Sequence, residues 1–253
     1  MFWDTEEKPL LIRQLARYNK KRLEGWDIRF LNSQTVYSFI HMNEFPKKYN
    51  DLSIQHKSDW IRLYLLLHYG GCWMDASIIL NDDRALDKIR QDSIGQKSIF
   101  TGFATGFKTY THSTGKTMPL VIDNWFIMAP RRSPIIKLWF QEYSTAIDIG
   151  FLNYKQNAIR DGVNISAIHS KGPEDVYLTQ HICIQKIFQQ DIQTMPSIIL
   201  LKSNDSMFKL HNECKWKHEC IKNRLLNDPE VKKLPYIKLI GENRNIDLTK
   251  YLS

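Results

Sequence analysis

The sequence predicts an α/β fold. Two observations support this class: apolar residues recur at helical spacing in several segments, and short runs of apolar or alternating residues separate those segments. The composition is that of a globular protein, with 43% hydrophobic and 25% charged residues among 253. It excludes disordered, collagen-like and coiled-coil classes. Because no internal repeat or Gly/Ser linker interrupts the alternation, we expect one domain over residues 1–253.

Helices are predicted where apolar residues recur every three or four positions between start and stop signals. Pro9 opens the first helix, and basic residues at its end suit the helix dipole. The strongest helix runs from about Ser53 to Tyr69 and is ended by two glycines. Ser133, followed by a proline, opens a helix that reaches about residue 147. The other predicted helices span residues 36–42 and 174–188.

Strands are predicted over short runs that are continuously apolar or that alternate apolar and polar residues. Residues 120–128, which are apolar except for Asp123 and Asn124, are predicted as a buried strand. Residues 105–117 are predicted as a polar loop and residues 148–173 as irregular, and the tail is rich in lysine. The other predicted strands are residues 26–30, 72–74, 78–80, 98–103 and 197–201.

The charge of the chain favours an anionic partner. Lysine and arginine number 35, aspartate and glutamate 27, and the formal net charge is +8. Such a surplus suits a nucleoside diphosphate, a nucleic acid or an acidic membrane surface, and it does not choose among them. The basic clusters are scattered and no nucleic-acid-binding motif accompanies them, so we expect no nucleic-acid partner.

The cysteine count and the N-terminal residues predict a location. Four cysteines are too few for a disulfide scaffold in 253 residues, so a reducing compartment is the default. The N-terminus is acidic and no apolar run follows it, which is atypical of a signal peptide. The most apolar segment, residues 61–74, is shorter than the roughly 20 residues that span a bilayer. We therefore expect a cytoplasmic protein, soluble or peripheral at a membrane, without a transmembrane segment.

Residues 113–117, Ser-Thr-Gly-Lys-Thr, resemble the end of a phosphate-binding P-loop but lack its other features. Tyr110 occupies the position where that loop needs its first glycine, and Pro119 interrupts the helix that should follow. We therefore predict a polar loop here. No GxGxxG, GxSxG or HExxH motif occurs in the sequence.

A second candidate is a cluster of histidines and cysteines near the C-terminus. His211, Cys214, His218 and Cys220 could together hold zinc, which binds both residue types. Their spacing matches no common zinc pattern, and two lysines between them oppose a cation. A structural zinc site and a basic surface segment are the two alternatives.

The most informative stretch is residues 58–77. On a helix, Asp59 and Arg62 share one face because they are three residues apart. Asp75 follows a short strand, and α/β sheets bind ligands at the ends of their strands. A carboxylate and a guanidinium beside a second carboxylate suit sugar hydroxyls, a diphosphate and its metal. The alternative is a surface ion pair plus an aspartate that caps a helix.

This stretch resembles the signature of capsular polysaccharide synthesis-type glycosyltransferases, which is S-D-x-x-R, then L-L, then Y-G-G-x-W-x-D-A-T/S. That signature is related to those of the α-mannosyltransferase and clostridial-toxin glycosyltransferase groups. Residues 3–9 resemble the first strand and W-x-x-x-x-x-P segment of such enzymes, residues 122–129 their central I-x-N-W-F-I-A strand, and residues 174–181 occupy the place of their late catalytic helix. The resemblance covers residues 1 to about 200, and the C-terminal extension is weakly matched.

The resemblance implies a GT-A fold, a Rossmann-like nucleotide-sugar-binding domain whose mixed central sheet is flanked by helices. It implies a UDP-, GDP- or TDP-sugar as donor, a glycan as acceptor, and Mn2+ or Mg2+ as cofactor. Asp59 and Arg62 would hold hydroxyls of the donor sugar, and Asp75 would contact the ribose and the metal. Ser77 replaces a second aspartate of the family pattern, and its hydroxyl is a weaker metal ligand than a carboxylate.

Four further residues are implied to bind the substrate. Trp3 and Thr5, at the end of the first strand, would lie near the nucleotide base, on which Trp3 would stack. The alternative for Trp3 is a buried core position. Asn124 and Trp125 belong to the central strand and would bind substrate.

Glu174 and Asp175 are the implied catalytic residues. In an inverting enzyme of this fold, one such carboxylate deprotonates the acceptor hydroxyl. In a retaining enzyme, the same region shields the anomeric carbon. Acids at the start of a helix also serve simply as partners of its dipole. The stereochemistry therefore stays open.

We predict a glycosyltransferase of polysaccharide biosynthesis that moves a sugar from a nucleoside-diphosphate-sugar to a glycan acceptor. Its positive charge adds a peripheral contact with a membrane as an expected partner. The alternatives are a basic nucleic-acid-binding protein and a catalytically weak nucleotide-sugar-binding protein of the same fold.

Overall fold

The structure is a computed structural model that describes residues 1–4, 7–106, 109–111, 117–119, 121–168, 172, 174–190 and 197–252. Its helices are α1 (Leu10–Arg22), α2 (Ile54–Tyr69), α3 (Ala85–Gly95), α4 (Pro134–Ile149), α5 (Phe151–Arg160), α6 (Thr179–Gln190), α7 (Lys209–Glu213), α8 (His218–Asn227) and α9 (Thr249–Leu252). Its strands are β1 (Gly71–Met74), β2 (Ile78–Leu80), β3 (Phe100–Ala104), β4 (Thr109–Thr111), β5 (Thr117–Pro119), β6 (Ile122–Ala129), β7 (Ile198–Lys202) and β8 (Tyr236–Lys238). No helix within the described ranges has both the length and the apolarity needed to cross a membrane.

The strands β1, β6, β3 and β7 form a mixed four-stranded sheet in that order, which confirms the predicted α/β class. All residues of β6 are buried, and this explains why its second half, residues 125–129, is apolar without alternation. β3 pairs antiparallel with β6, so that Thr101 lies opposite Met128. The antiparallel pairs β2–β8 and β4–β5 form two smaller sheets.

The contacts between residues divide the chain into two compact units. The first unit consists of Met1–Val36, Met74–Asp92 and Lys202–Ser253, and the second of Tyr37–Trp73 and Ser93–Leu201. Both units are therefore built from separate stretches of the chain. The expectation of one domain over residues 1–253 stays a prediction.

The core of the first unit surrounds β2, every residue of which is buried. β8 pairs with one edge of this strand, with Ile79 opposite Ile237. Asn19 of α1 closes the other edge: its amide donates to Ile78 O at 2.7 Å, and its side-chain oxygen accepts from Leu80 N at 3.0 Å. The side chain thus satisfies backbone groups that would be costly to bury unpaired.

In the second unit, α4 packs against α2 and α6, and both of these helices contact β6. Aromatic rings fill the space between α2 and α4. Trp60 stacks on Tyr64 one turn later, with 5.1 Å between the ring centroids, and lies 5.5 Å from the ring of Phe140 on α4. This packing fixes α2, which carries Asp59 and Arg62.

Several predicted elements differ from the structure. Residues 26–30 are not assigned as a strand, although Phe2 and Leu31 form an isolated parallel bridge beside them. Alternation alone does not make a strand, because a strand also needs a partner along its length. Residues 36–42 form 3-10 turns, Thr35–Ser38 and Met42–Glu44, in place of a helix.

Other differences concern elements that the sequence pattern missed. The predicted irregular region contains α5, in which Tyr154 and Ala158 lie four residues apart and are buried on one face. The predicted polar loop, residues 105–117, contains β4 and ends at the first residue of β5, and the sequence pattern did not indicate α3. Residues 107–108 and 112–116 of this loop, which include most of the P-loop-like segment, lie outside the described residues.

Cys214 and Cys220 form a disulfide, with their Cα atoms 5.5 Å apart. The zinc alternative for residues 211–220 is therefore wrong: in the part of the chain that the structure describes, no three His, Cys, Asp or Glu residues are grouped so as to hold a metal. The two cysteines are six positions apart in the sequence, a spacing compatible with this bridge as well as with zinc. Disulfides persist mainly in oxidising compartments, so the cysteines no longer support a reducing one.

Candidate active site

Helix α2 begins and ends close to where its sequence predicts. The hydroxyl of Ser53 caps its N-terminus by accepting a hydrogen bond from His56 N at 3.3 Å. Gly70 ends it with a φ of 70°, and a Cβ at this position would collide with the backbone of Arg131. Glycine meets both conditions, so the chain turns directly from α2 into β1.

Asp59 and Arg62 form an ion pair on one face of α2, as their spacing predicts. Arg62 Nη1 donates to Asp59 Oδ1 at 2.6 Å. The Arg62 side chain is 5% exposed and the Asp59 side chain 2% exposed, so the alternative of a surface ion pair is wrong. The guanidinium also lies over the ring of Trp73 on β1, 4.9 Å from its centroid.

Asn124 of β6 and Gln180 of α6 join this ion pair. Asn124 Nδ2 donates to Asp59 Oδ1 at 3.2 Å and to Gln180 Oε1 at 2.7 Å. Arg62 Nη1 donates to the same Gln180 oxygen at 2.5 Å, and Gln180 Nε2 donates to Asp59 O at 2.8 Å. We call these four residues the α2 network.

Gln180 is the member of the α2 network that sequence analysis missed. It is fully buried, and its backbone oxygen accepts from Trp139 Nε1 at 2.8 Å. The available signal was a polar residue within the predicted helix 174–188, and polar residues are common on helices for the solvent-exposed face. Asn124 was predicted to bind substrate, and it is 8% exposed within the network.

Two histidines close to the α2 network are neutral at physiological pH. Burial lowers the pKa of His56 to about 4, and burial together with the charge of Arg62 lowers the pKa of His181 to about 4. His56 Nδ1 hydrogen-bonds the Tyr143 hydroxyl at 2.9 Å. The structure gives His181 Nδ1 no hydrogen-bond partner among the residues it describes.

Lowering the pH from about 6.5 to 4 is expected to destabilise the protein. In this window the unfolded chain protonates His56 and His181, whereas the native state does not, because its pKa values are about 4. The free energy of unfolding therefore decreases as the pH falls, and these two groups add no further loss below their native pKa values. Urea unfolding across this range measures the effect. A His181→Met variant should lose less stability, and an equal loss would contradict the assignment.

In the first unit, Asp75 and Ser77 share a buried lysine. Asp75 directly follows β1, as predicted, and Ser77 directly precedes β2. Lys238 Nζ, on β8, donates to Asp75 Oδ2 at 2.9 Å and to Ser77 Oγ at 2.8 Å. The antiparallel register that places Lys238 opposite Ile78 brings the lysine to this position.

Burial differs between the two ends of this contact. The Lys238 side chain is 2% exposed and the Asp75 side chain 27% exposed, so the pair runs from the interior to the surface. Burial and the charge of Lys238 lower the pKa of nearby His211 to about 4, so that this histidine adds no charge at neutral pH. Lys238 is 163 residues from Asp75 in the sequence, and no local pattern predicts their contact.

The residues around Asp75 do not fit the divalent cation that the resemblance implies. Asp75 supplies one carboxylate and Ser77 a neutral hydroxyl, whereas these cations favour several oxygen ligands that include carboxylates. The ammonium of Lys238 is already hydrogen-bonded to both. Asp82, the next acidic residue, accepts from Arg84 N in its own turn. Nor do the described stretches hold any cluster of three or more potential metal-ligating acids, histidines or cysteines.

The residues predicted to contact the nucleotide or the substrate have different surroundings. Trp3 is half-buried, and its backbone N donates to Leu31 O at 2.9 Å. Thr5 lies outside the described residues. Trp125 is 6% exposed, with its ring centroid 5.0 Å from that of Phe103, so it contributes to the core beside β6.

Glu174 and Asp175 precede α6 and are not part of it, which corrects the predicted start of this helix. Glu174 is exposed and Asp175 half-buried. Asp175 Oδ1 accepts from Tyr177 N at 2.9 Å, and the Asp175 backbone oxygen accepts from Lys155 Nζ at 2.8 Å. The Asp175 side chain thus stabilises the turn before α6. A side chain that hydrogen-bonds the backbone in this way favours a turn over extension of the helix.

Comparison with known proteins identifies a related family. The model of a family described as capsular polysaccharide synthesis protein matches residues 1–148. This range includes Asp59, Arg62 and Asp75, and it ends before Gln180.

A curated relative is named O-glycosyltransferase braB and comes from Annulohypoxylon truncatum. It is 25% identical to this chain over 164 residues. The match covers 58% of this chain and 37% of that protein, so the chain spans well under half of this relative's length.

Proposed function

Because this chain belongs to the capsular polysaccharide synthesis protein family, we propose that it is a glycosyltransferase that moves a sugar from a nucleoside-diphosphate-sugar donor to a glycan acceptor. The observation that carries the proposal is the α2 network, whose Asp59 and Arg62 belong to the signature stretch. The name of the Annulohypoxylon relative supports glycosyl transfer as the reaction class.

The chemistry of the α2 network suits the hydroxyl groups of a sugar. A hydroxyl both donates and accepts hydrogen bonds, and the network combines an accepting carboxylate with donating guanidinium and amide groups. We assign contact with the donor sugar to Asp59 and Arg62. Gln180 and Asn124 hold these two groups in one orientation, so that little reorganisation accompanies binding or reaction.

The nucleotide part of the donor is assigned to residues of the first unit. Asp75 and Ser77 are assigned to the diphosphate and Trp3, with Thr5, to the base of a UDP-, GDP- or TDP-sugar. Trp3 is half-buried, and its indole is the aromatic ring assigned to stack on that base.

The acceptor step is assigned to Glu174 and Asp175. In the reaction, the acceptor oxygen bonds to the anomeric carbon, and the bond from that carbon to the diphosphate oxygen of the donor breaks. In an inverting enzyme, one of the two carboxylates takes the proton of the acceptor hydroxyl. In a retaining enzyme, they shield the anomeric carbon. The anomeric configuration of the product, read by NMR, decides between these two roles.

A matching nucleotide sugar is expected to raise the melting temperature of the protein, because a ligand that binds the native state alone stabilises it. At a concentration 100 times its Kd, the gain is about 2.7 kcal/mol, equivalent to about 5–10 °C. A thermal-shift screen of UDP-, GDP- and TDP-sugars, with and without Mn2+, measures this gain. A turnover assay with glycan acceptors follows for each sugar that binds.

The outcomes of this screen separate the proposal from its alternatives. An unchanged melting temperature with every nucleotide sugar, together with tight binding of single-stranded DNA, would contradict the enzyme proposal and favour a nucleic-acid-binding protein. A shift without turnover would identify a catalytically weak nucleotide-sugar-binding protein.

A further inference from the structure

The contact of Lys238 with Asp75 and Ser77 concerns the cofactor of the proposed reaction. Lys238 Nζ lies 2.9 Å from Asp75 Oδ2 and 2.8 Å from Ser77 Oγ. These are the two side-chain oxygens between which the sequence resemblance places a divalent cation. The side chain of Lys238 is 2% exposed, so its ammonium belongs to the interior and depends on these oxygens as acceptors.

The charges explain why an ammonium suits this position better than a divalent cation. The charges of two aspartates and one divalent cation would sum to zero. Because Ser77 stands where the family pattern has the second aspartate, one negative charge is missing here. The single positive charge of Lys238 then balances the charge of Asp75. A divalent cation bound to the same oxygens would lie close to the ammonium, and repulsion between cations is strong where burial reduces screening.

We infer that Lys238 takes the place of the divalent cation, so that the Asp75–Ser77 element binds the diphosphate of the donor without a metal ion. This inference rests on the proposed glycosyltransferase function. A lysine ammonium is a compact point charge and a common partner of phosphate groups. Its positive charge also stabilises the negative charge that develops on the departing diphosphate as the bond to the sugar breaks.

The partial exposure of Asp75 matters for this role. Its side chain is 27% exposed, whereas Lys238 is covered, so an anion from solvent meets this pair at the Asp75 end. The buried ammonium is little screened by water, so it offsets the charge of the Asp75 carboxylate, which would otherwise repel a phosphate placed at the surface beside it.

The test is calorimetric titration of UDP and GDP into the protein after removal of metals, in EDTA and again in Mn2+. The wild-type protein should bind one of these nucleotides in EDTA with a Kd within about threefold of that in Mn2+. Lys238→Met should weaken binding in EDTA at least about tenfold, the effect of losing one charged partner. Lys233→Met, at an exposed lysine with 71% side-chain exposure, is the matched control and should bind like the wild type.

A second variant distinguishes this role from a structural one. Lys238→Met combined with Ser77→Asp removes the ammonium and restores the second carboxylate. This double variant should bind the nucleotide in Mn2+ and lose most of that affinity in EDTA. Unchanged binding in EDTA by a folded Lys238→Met variant would overturn the inference.

The wild-type measurement stands even where a variant fails to fold. Binding that requires Mn2+ in the wild-type protein would overturn the inference and leave the proposed function intact. Absence of nucleotide and nucleotide-sugar binding in both buffers would overturn the proposed function, and the inference with it.

Discussion

Replacement of Arg62 by methionine is expected to lower the free energy of unfolding by about 3–5 kcal/mol, the cost of breaking a buried ion pair on one side. Methionine keeps an unbranched apolar chain but removes the guanidinium that donates to Asp59 and Gln180. The Asp59 carboxylate, whose side chain is 2% exposed, then stays in the interior without this charged partner. Urea unfolding of both proteins measures the loss.

The control for this experiment is the double variant Asp59→Asn with Arg62→Met. It removes both charges, so it should be more stable than Arg62→Met alone, and a double-mutant cycle yields the coupling between the two residues. Equal stability of the single and double variants would show that the buried charge is not the cause. We expect Arg62→Met to lose sugar transfer but to keep its affinity for UDP or GDP, because Arg62 is assigned to the sugar.

Replacement of Asp75 by asparagine is expected to reduce sugar transfer by about 100-fold or more, the scale of losing one electrostatic partner in a catalytic site. Asparagine has nearly the same shape but no charge, so it cannot balance the ammonium of Lys238. The charge pair assigned to the diphosphate is then lost. The measurement is kcat/KM with a donor identified in the binding screen, with melting curves to show that the variant is folded.

Ser77→Ala is the matched control for Asp75→Asn. It removes one neutral acceptor of Lys238 and should reduce transfer about tenfold or less. If Lys238 replaces the metal, the loss in Asp75→Asn is the same in EDTA and in Mn2+. A fully active Asp75→Asn enzyme would contradict the assignment of Asp75 and Ser77 to the diphosphate of the donor.

Much of the local structure was predictable from the sequence. The bounds of α2 follow from a serine cap and a glycine stop, and the burial of β6 agrees with its apolar run over residues 125–129. The pairing of Asp59 with Arg62 follows from their spacing on one turn of a helix. The predicted start of α6 was wrong because Asp175 forms a turn with Tyr177 N, and such turns compete with helix at the same kind of sequence.

The C-terminal tail was the least predictable part of the chain. Its disulfide between Cys214 and Cys220 has a spacing that also allows metal binding, and its strand β8 is three residues long. So short a strand carries almost no pattern of its own, and its pairing with β2 depends on contacts with the rest of the first unit. The position of Lys238 depends on that pairing.

By itself, the sequence determined the α/β class, the helix α2 with its two caps, and the common face of Asp59 and Arg62. These features depend on spacing within a few residues, and such spacing is legible in the sequence. The tertiary structure decided which distant groups complete each cluster. Gln180 reaches Arg62 across 118 residues of sequence, and Lys238 reaches Ser77 across 161. Contacts at such separations arise when whole elements pack and pair, and no local pattern specifies them.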